Sequence, residues 1–424
     1  MMNTKLFLVG AALVITNMTS LSLQAQNNFD GFRGPNRDGI YPAEKGLMKQ
    51  WPAEGPQMLW EDLEIGKGYS SPVIVGDRLY VTGMTEDEKQ ETFMAFTLDG
   101  KKLYTTPYGR PWGQSYPETR TTPTINNGKA YVISGMGEVA CINVTDGKII
   151  WRVDGGSTYS TKTGNWGTAE CPLVFDNKVI YSPGGSQTTI VALDKETGKE
   201  IWKSKSLNEA RNYVQPTIIT YKGKRQIIGG TCNYYYGVNP DNGEIQWTFK
   251  DWYPQSSWEN IAPNGPVFDE ASGVLVFAQG YGINATALKL ADDMKSVTRA
   301  WKNNDLSTHH GGYVLLNGII YGSNWINNNN GNWVGVDVKT GNTIFNTAWK
   351  GGKGKGSTVA ADGMLYIYDE RRGFVGLQQP GNEFNVVSEF RITKGEGPYW
   401  AHLVINNGVL YVRHGSALQA YKIK

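Results

Sequence analysis

Cysteine and histidine are scarce in this sequence, which has three cysteines and four histidines among 424 residues. Cys141, Cys171 and Cys232 form no CxxC or CxxCH motif, so the sequence has no pattern for a zinc site or a covalently attached haem. Their odd number allows at most one intramolecular disulfide. Because Cys141 and Cys171 lie in strand-like contexts, we expect them to be small buried packing residues.

An excess of charge of one sign is also missing. The chain has 41 lysines and arginines against 39 acidic residues, a net charge of +2, and both signs are interspersed. This balance gives no indication that the protein binds nucleic acid or an anionic membrane surface. The ten-residue apolar run at 6–15 is too short to span a bilayer, and we predict no transmembrane segment.

The apolar run at residues 6–15 follows Lys5 and precedes polar residues and Ala25. This order is typical of a secretory signal peptide, which we predict at residues 1–25; the alternative is a disordered or buried N-terminal segment. No cysteine lies near the predicted cleavage site, so we expect no lipid anchor. We therefore expect a periplasmic or secreted protein, and a monomer.

Glycine and aromatic residues, by contrast, are abundant and recur at regular intervals. The stretch DKETGKEIW at residues 194–202 has copies in which an aromatic residue follows a glycine by four positions. The other copies are residues 145–151, 240–247, 337–345 and, in a shorter form, 98–104. Aspartate and glycine tolerate the positive φ of a tight turn, so each copy predicts a hairpin whose aromatic ring is a packing anchor.

A second motif precedes each hairpin and sets the number of repeats. Its best copies are SPVIVGDRLY at residues 71–80, TPTINNGKAY at 122–131 and CPLVFDNKVIY at 171–181. The last residues of the copies define eight register positions, 44 to 51 residues apart: Tyr80, Tyr131, Tyr181, Ile228, Phe277, Tyr321, Tyr366 and Tyr411. Eight copies with four short strands each predict an all-β, eight-bladed β-propeller.

The two ends of the predicted propeller complement each other. After Tyr411 only one more strand, at residues 418–423, can form, so the last blade lacks its outer strand. Residues 58–60 precede the first complete copy and can supply that strand, which would close the ring and leave no open sheet edge. We therefore assign residues 57–424 to the propeller and residues 26–56 to an N-terminal lead-in arm.

The lead-in arm has no repeat and several turn-forming residues, including a proline-rich run that ends at Pro56. We expect an ordered arm or an extended segment. Its Arg33 and Arg37 have three candidate roles: hydrogen bonds that hold the arm to the ring, solvated charges, or part of a ligand site. The sequence alone leaves all three open.

Propeller geometry predicts where chemistry can occur. The inner strand of each blade follows the loop from the previous blade, so the residues before each copy of the second motif surround one mouth of the central channel. Every one of these loops contains a polar, charged or aromatic side chain, which is compatible with a ligand funnel and equally with a solvated channel that binds nothing. The loops are residues 68–70, 120–121, 166–170, 212–215, 258–260, 308–310, 353–355 and 399–402.

Two further groups of residues have more than one explanation. His309 and His310 could form a metal pair, but adjacent residues on a strand point in opposite directions, so we expect only one to face the axis. The asparagine-rich loop at residues 325–333 offers rings and amides that suit a sugar, although packing of tryptophan between blades also explains such residues. Other long loops contain Trp112, Trp252 and Trp258.

The paired motifs at residues 71–81 and 193–202 resemble those of the PQQ-like (pyrroloquinoline quinone) repeat family, whose members are eight-bladed propellers. The stretch FRGPNRDG at residues 32–39, together with GYSSP at 68–72, is similar to a large group of secreted bacterial PQQ-like repeat proteins of unassigned activity. The resemblance covers residues 29–424. It is specific for the fold and not for the function, because one fold serves many functions.

The resemblance implies two functional branches, and one is the quinoprotein alcohol dehydrogenases. In these enzymes PQQ lies in the channel beside a calcium ion, between a tryptophan and a disulfide formed by adjacent cysteines. For this branch the resemblance implies Glu170 and Asn260 as calcium ligands and His310 or Glu259 as the base. It implies cofactor contacts from Arg120, Trp166, Gln215, Lys355, Trp400 and His402. The sequence departs from the branch in having no adjacent cysteines.

The other branch is the outer-membrane assembly scaffolds of the BamB type, which are lipoproteins that bind protein partners. Two hypotheses follow. The preferred one is a non-catalytic periplasmic or secreted propeller that binds a small molecule, a glycan or a protein partner through its central funnel and loops. The alternative is a quinoprotein-like oxidoreductase, dependent on PQQ and calcium, that acts on alcohols or sugars.

Overall fold

The computed structural model describes residues 31–250 and 262–424. Within these ranges the chain forms eight sheets, each with a core of four antiparallel strands, and one sheet gains a fifth, parallel strand from Ile40–Tyr41. This confirms the predicted eight-bladed β-propeller. All eight register positions, from Tyr80 to Tyr411, lie in the second strand of their blades. The one helix in these ranges is the single turn Gly155–Thr158, and no helix in them is long and apolar enough to cross a membrane. The predicted signal peptide lies outside the described residues.

Blades one to four follow one another along the chain, each built from the inner to the outer strand. Blade one consists of Val73–Val75, Arg78–Met84, Glu91–Thr97 and Lys102–Gly109. Blade two consists of Thr124–Asn126, Lys129–Ile133, Glu138–Asn143 and Ile149–Asp154. Blade three consists of Leu173–Phe175, Lys178–Tyr181, Val191–Asp194 and Glu200–Lys203. Blade four consists of Thr217–Tyr221, Lys224–Gly230, Tyr234–Val238 and Ile245–Lys250.

Blades five to seven repeat this order, and blade eight takes three strands from the C-terminus. Blade five consists of Val267–Asp269, Val274–Phe277, Ala285–Leu290 and Val297–Asn303. Blade six consists of Val314–Leu316, Ile319–Ser323, Trp333–Asp337 and Thr343–Thr347. Blade seven consists of Gly356–Ala361, Met364–Asp369, Phe374–Gln379 and Asn385–Arg391. Blade eight begins with Val404–Asn406, Val409–His414 and Ala417–Lys422.

A strand from the N-terminal side of the propeller completes blade eight. Met58–Asp62 pairs antiparallel with Ala417–Lys422, with Trp60 opposite Ala420. The Trp60 indole then donates a hydrogen bond of 2.7 Å to the carbonyl of Leu98 in blade one. The predicted ring closure is therefore confirmed, and the closing strand also bonds blade eight to blade one.

The aromatic anchor of one blade packs on the turn glycine of the next, which explains why these two residue types recur together. The Trp151 indole donates to the carbonyl of Lys195 in blade three at 2.9 Å. A Cβ atom at Gly198, in the same turn, would lie 2.7 Å from the Trp151 ring. The same close approach joins Gly100 with Trp60, Gly147 with Tyr104, Gly243 with Trp202, and Gly341 with Trp301.

We expect Gly198→Ala to lower the free energy of unfolding by about 1–3 kcal/mol more than Gly128→Ala does. The two glycines have φ values of +72° and +73°, so both alanines meet the same backbone strain. At Gly198 the new methyl group would also overlap the Trp151 ring, whereas nothing lies within 4 Å of a Cβ atom at Gly128. Urea unfolding of the two variants measures the difference, and equal losses would contradict the packing role of the turn glycine.

The lead-in arm runs from the hub of the ring to its rim. Ile40–Tyr41 pairs in parallel with the inner strand of blade seven. Glu44 then accepts hydrogen bonds from the backbone N–H groups of Asn407 (2.7 Å) and Gly408 (2.9 Å) in blade eight. From there the arm leads outward to Met58–Asp62, so the strand that closes the ring directly follows the arm.

Arg33 and Arg37 hold the arm in the hub. Their side chains are buried, and the residues are 6% and 8% exposed. Arg37 donates to the carbonyls of Cys171 and the residue after it, at 2.9 and 3.0 Å. Arg33 donates to the carbonyl of Tyr313 at 2.6 Å and to Nδ1 of His402 at 2.8 Å. These partners precede the inner strands of blades three, six and eight, so the hydrogen-bonding role is confirmed and that of solvated charges is wrong.

Candidate functional site

Aromatic rings from the inter-blade loops meet at one end of the hub. The ring centroid of Trp400 is 4.9 Å from that of Tyr69, 5.0 Å from that of Tyr116 and 4.6 Å from that of His310. These side chains come from the loops that lead into blades eight, one, two and six. We call the complete group of rings the aromatic mouth, which consists of Tyr69, Tyr116, Trp166, Tyr281, His309, His310, Trp325 and Trp400.

The other half of the aromatic mouth is built around Tyr281. Its ring centroid is 5.0 Å from that of His309 and 5.7 Å from that of Trp325. It also lies parallel to the Trp166 ring, at 6.2 Å and an angle of 3°. Every ring of the mouth except His309 is at least partly exposed, and Tyr116 reaches 48%. The mouth therefore exposes parts of seven aromatic rings to solvent at the end of a hub that the arm occupies.

Arg120 fixes the loops that carry two of these rings. Its guanidinium donates to the carbonyls of Trp166 at 2.7 Å and Ser115 at 2.9 Å, and also to the carbonyl of Tyr116. Burial lowers the pKa of Arg120. Since these carbonyls belong to the loops that enter blades two and three, Arg120 ties the two loops together.

A buried ionic group lies directly beside the rings. Lys355 Nζ is 2.6 Å from Glu370 Oε1, and the other oxygen of Glu370 is 3.2 Å from His309 Nδ1. The three side chains are 1%, 7% and 6% exposed, respectively. Lys355 also donates to the carbonyls of Asn327 and Asn328, both at 3.0 Å. The same lysine thus neutralises Glu370 and anchors the asparagine-rich loop beside the mouth.

The surroundings keep the His309 ring neutral and select its tautomer. Burial lowers the pKa of His309 to about 3, and the Lys355 charge adds to that change. Burial raises the pKa of Glu370, while the Lys355 charge opposes that change. The contact with Glu370 sets the proton on Nδ1 of His309, so Nε2 is the hydrogen-bond acceptor of the ring. The buried ring is therefore neutral and held in one tautomer.

His310 and His402 connect the mouth to the arm. Nδ1 of His402 accepts a hydrogen bond from Arg33, and Nε2 donates to the His310 carbonyl at 2.9 Å. Burial lowers the pKa of His402 to about 3 and that of His310 well below its ordinary value. The ring centroids of His309 and His310 are 3.6 Å apart. The expectation that these two rings point in opposite directions is therefore wrong, because the segment is a loop and not a strand.

Glu170 and Gln215 lie between blades three and four. Glu170 Oε2 is 3.0 Å from Arg211, and Oε1 accepts the backbone N–H of Ser182 at 3.1 Å. The side chains of Glu170 and Arg211 are 2% and 1% exposed. Burial raises the pKa of Glu170, and the Arg211 charge opposes that change. Gln215 bonds the backbone on both sides of Glu170, at 2.6 and 2.7 Å, and so fixes its position.

The predicted site residues thus fall into three groups, and their roles stay predictions. Five lie at the aromatic mouth or directly beside it: Arg120, Trp166, His310, Lys355 and Trp400. Three lie between blades or against the arm: Glu170, Gln215 and His402. The last two, Glu259 and Asn260, lie outside the described residues. Trp252 and Trp258 of the long loops also lie outside them.

Tyr281 and Glu370 were not predicted, because the second motif marks only the loops between blades. Both residues lie in loops between the second and third strands of a blade, which open at the same end of the ring. Each follows the register position of its own blade by four residues, as Trp325 also does. That spacing is the sequence signal that could have found them.

The described residues do not fit the PQQ and calcium site of the quinoprotein branch. Arg33 and Arg37 of the arm occupy the hub, which is part of the channel where the resemblance places PQQ. The Glu170 carboxylate is engaged by Arg211 and a backbone N–H. Across 31–250 and 262–424 there is no group of three or more His, Cys, Asp or Glu side chains that could hold a metal ion. Cys141 and Cys171 form no disulfide and are buried, as expected.

A protein-family model described as outer membrane protein assembly factor BamB (PQQ_2) matches residues 99–347, more than half of the chain. The chain belongs to this PQQ-like propeller family. BamB of Alkalilimnicola ehrlichii is 27% identical over 42% of this chain and 42% of its own length. Quinoprotein alcohol dehydrogenase PedH of Pseudomonas putida is 26% identical over 32% of this chain and 23% of its own length. The chain therefore spans less than half the length of these curated relatives.

Solved structures of the PQQ-like propeller family share the fold. BamB from Moraxella catarrhalis matches with a TM-score of 0.63 at 14% identity, over 87% of this chain and 99% of that one. A europium-containing methanol dehydrogenase matches with a TM-score of 0.65 at 11% identity, over 90% and 88%. Because the relatives include both assembly factors and alcohol dehydrogenases by name, membership is compatible with a binding role and with an oxidative one.

Proposed function

We propose that this chain is a non-catalytic periplasmic or secreted binding protein whose aromatic mouth binds a small polyhydroxylated molecule such as a saccharide. The observation that supports this proposal is the set of partly exposed aromatic rings gathered at one end of the hub. A sugar ring has an apolar face that packs against aromatic rings, and its hydroxyl groups need hydrogen-bond partners.

The polar groups around the rings are of the kind that such a ligand needs. The buried His309 ring is fixed by its contact with Glu370 and supports the partly exposed rings of Tyr281 and His310. The neighbouring loop exposes Asn327 and Asn328, and the Trp325 indole donates to Oδ1 of Asn328 at 3.2 Å. Side-chain amides both donate and accept hydrogen bonds, so they can bind pairs of hydroxyl groups.

We expect Trp400→Ala and Trp166→Ala each to weaken saccharide binding by roughly tenfold or more, since each removes a ring face of the mouth. Isothermal titration calorimetry with a panel of monosaccharides and oligosaccharides measures the effect. Ile201→Ala is the matched control, because Ile201 is 38% exposed on the outer strand of blade three, away from the mouth. Unchanged affinity in both tryptophan variants, or no binding of any saccharide, would refute the proposal.

A second candidate is a quinoprotein-like oxidoreductase acting on alcohols or sugars, which the names of the dehydrogenase relatives favour. Titration of the purified protein with PQQ and calcium separates the two candidates, with PQQ absorbance and dye reduction as readouts. Saturable PQQ binding that Glu170→Ala abolishes, in a variant whose circular dichroism is unchanged, would replace the binding proposal with the enzymatic one.

A further inference from the structure

A small cavity lies inside the hub, below the aromatic mouth. It lies between the arm and the inner ends of blades four to six, and its lining includes Arg33, Arg37, Gln215, Thr217 and Asn264. The cavity volume is about 20 Å³. A cavity of roughly 10–15 Å³ is large enough for one water molecule. The cavity therefore has room for one small ligand and is distinct from the mouth.

Arg37 brings an unsatisfied donor to this cavity. Its two terminal nitrogens donate to the carbonyls of Cys171 and Pro172 at 2.9 and 3.0 Å. Its Nε is buried and has no hydrogen-bond partner among the described residues, and Arg37 as a whole is 8% exposed. Buried polar groups are nearly always hydrogen-bonded, and a charged donor without a partner is especially unfavourable.

Positive charge also exceeds negative charge around the cavity. The hydrogen bonds of Arg33 and Arg37 go to neutral groups, mainly backbone carbonyls. The charge of Asp38 acts on Arg33 and that of Glu170 acts on Arg37, but Glu170 is already paired with Arg211. Among these five side chains, three guanidinium groups share two carboxylates, so the positive charge exceeds the negative charge by one.

We propose that this cavity is a binding site for a monovalent anion of the size of chloride, with Arg37 Nε as a direct donor and Arg33 as the neighbouring charge. The anion satisfies the free donor and neutralises the surplus charge, and it fixes the arm within the hub. Thr217 also lines the cavity, and a threonine hydroxyl is a hydrogen-bond donor. The site is independent of any ligand at the aromatic mouth.

Bromide provides the direct test, because it replaces chloride and has a strong anomalous signal. Crystals of the purified protein grown in sodium bromide are expected to show an anomalous difference peak in the cavity, within hydrogen-bond distance of Arg37 Nε. The same crystals grown in sodium fluoride or acetate should show none. Density in the cavity without an anomalous peak in bromide identifies a water molecule and overturns the proposal.

A solution measurement tests the same site without crystals. The Tm of the protein is expected to be about 2–4 °C higher in sodium chloride or bromide than in sodium fluoride at equal ionic strength. Non-specific salt effects run in the opposite order, since bromide is the weakest stabiliser of the three. Arg37→Gln should lose the halide preference, whereas Arg78→Gln, which removes a partly exposed arginine of blade one, should keep it. A wild-type Tm that is higher in sodium fluoride than in sodium chloride or bromide would contradict the site.

Discussion

Glu170→Gln is expected to lower the free energy of unfolding by about 3–5 kcal/mol, because it leaves the Arg211 guanidinium buried without its charge partner. Both side chains are almost fully buried, at 2% and 1% exposed, and their charged atoms are 3.0 Å apart. Urea unfolding monitored by tryptophan fluorescence measures the loss. The double variant Glu170→Gln/Arg211→Met should recover part of it, since no unpaired charge then remains inside the protein.

A surface pair in the same region of the ring provides the control for Glu170. Arg225 and Asp176 are 2.7 Å apart, but their side chains are 34% and 43% exposed. Solvent screening makes such a pair worth roughly 0–1 kcal/mol, so Asp176→Asn should have little effect. If both substitutions lowered the free energy of unfolding equally, the buried ion pair of Glu170 and Arg211 would not account for the loss.

The same variant bears on the calcium role that the family resemblance implied for Glu170. If the carboxylate acts as the partner of Arg211, the loss in stability should be the same with excess calcium and with EDTA. A wild-type protein that calcium stabilises, and a Glu170→Gln variant that it does not, would instead make Glu170 a metal ligand. The experiment thus separates the two roles without an assay of activity.

The second large effect is a pH dependence of stability that comes from Glu91. This residue is 1% exposed and accepts hydrogen bonds from the Tyr108 hydroxyl at 2.5 Å, the Thr119 hydroxyl at 2.9 Å and the Gly135 N–H at 2.8 Å. Burial raises its pKa from 4.5 to about 7. The folded protein therefore holds a proton on Glu91 at pH values where the unfolded chain has released it.

The sign of the effect follows from that difference in bound protons. The stability that Glu91 contributes is fully present below pH 4.5, and it is lost as the pH rises to the folded-state pKa of about 7. The total loss is about 3 kcal/mol, because a pKa difference of one between the folded and unfolded states corresponds to about 1.4 kcal/mol. Glu91→Gln cannot ionise, so its stability relative to the wild type should rise by this amount between pH 4.5 and 8.

Urea unfolding at several pH values measures the difference between wild type and Glu91→Gln. Glu54→Gln is the control, because Glu54 is exposed in the arm and its surroundings change little on unfolding. Parallel stability curves for wild type and Glu91→Gln from pH 5 to 8 would mean that Glu91 is ionised in the folded protein throughout that range.

The repeat pattern predicted the propeller because the interactions that build each blade are local. A turn glycine and the aromatic residue four positions later specify a hairpin, and the packing of Trp151 on Gly198 links one repeat to the next. The missing outer strand of the last blade predicted the pairing of Met58–Asp62 with Ala417–Lys422. Each of these inferences needed only neighbouring residues or a count of strands.

The candidate site was only partly predictable, because its residues meet through the ring and not along the chain. Trp166 and Trp400 were recognised from their loops, whereas Tyr281 and Glu370 lie in loops of another kind. No spacing in the sequence connects Glu170 with Arg211, or Lys355 with Glu370, since each pair joins different structural elements. Side chains that looked available to a ligand therefore proved to be partners of one another.

By itself the sequence determined the number of blades, their strands and the closure of the ring, because hydrophobic pattern, turn residues and strand count act over short distances. The tertiary structure alone decided what occupies the centre. Arg33 and Arg37 lie far along the chain from their partners Tyr313, His402 and Cys171. Only closure of the ring creates a hub that the arm can fill, and the same closure gathers the exposed rings at its mouth.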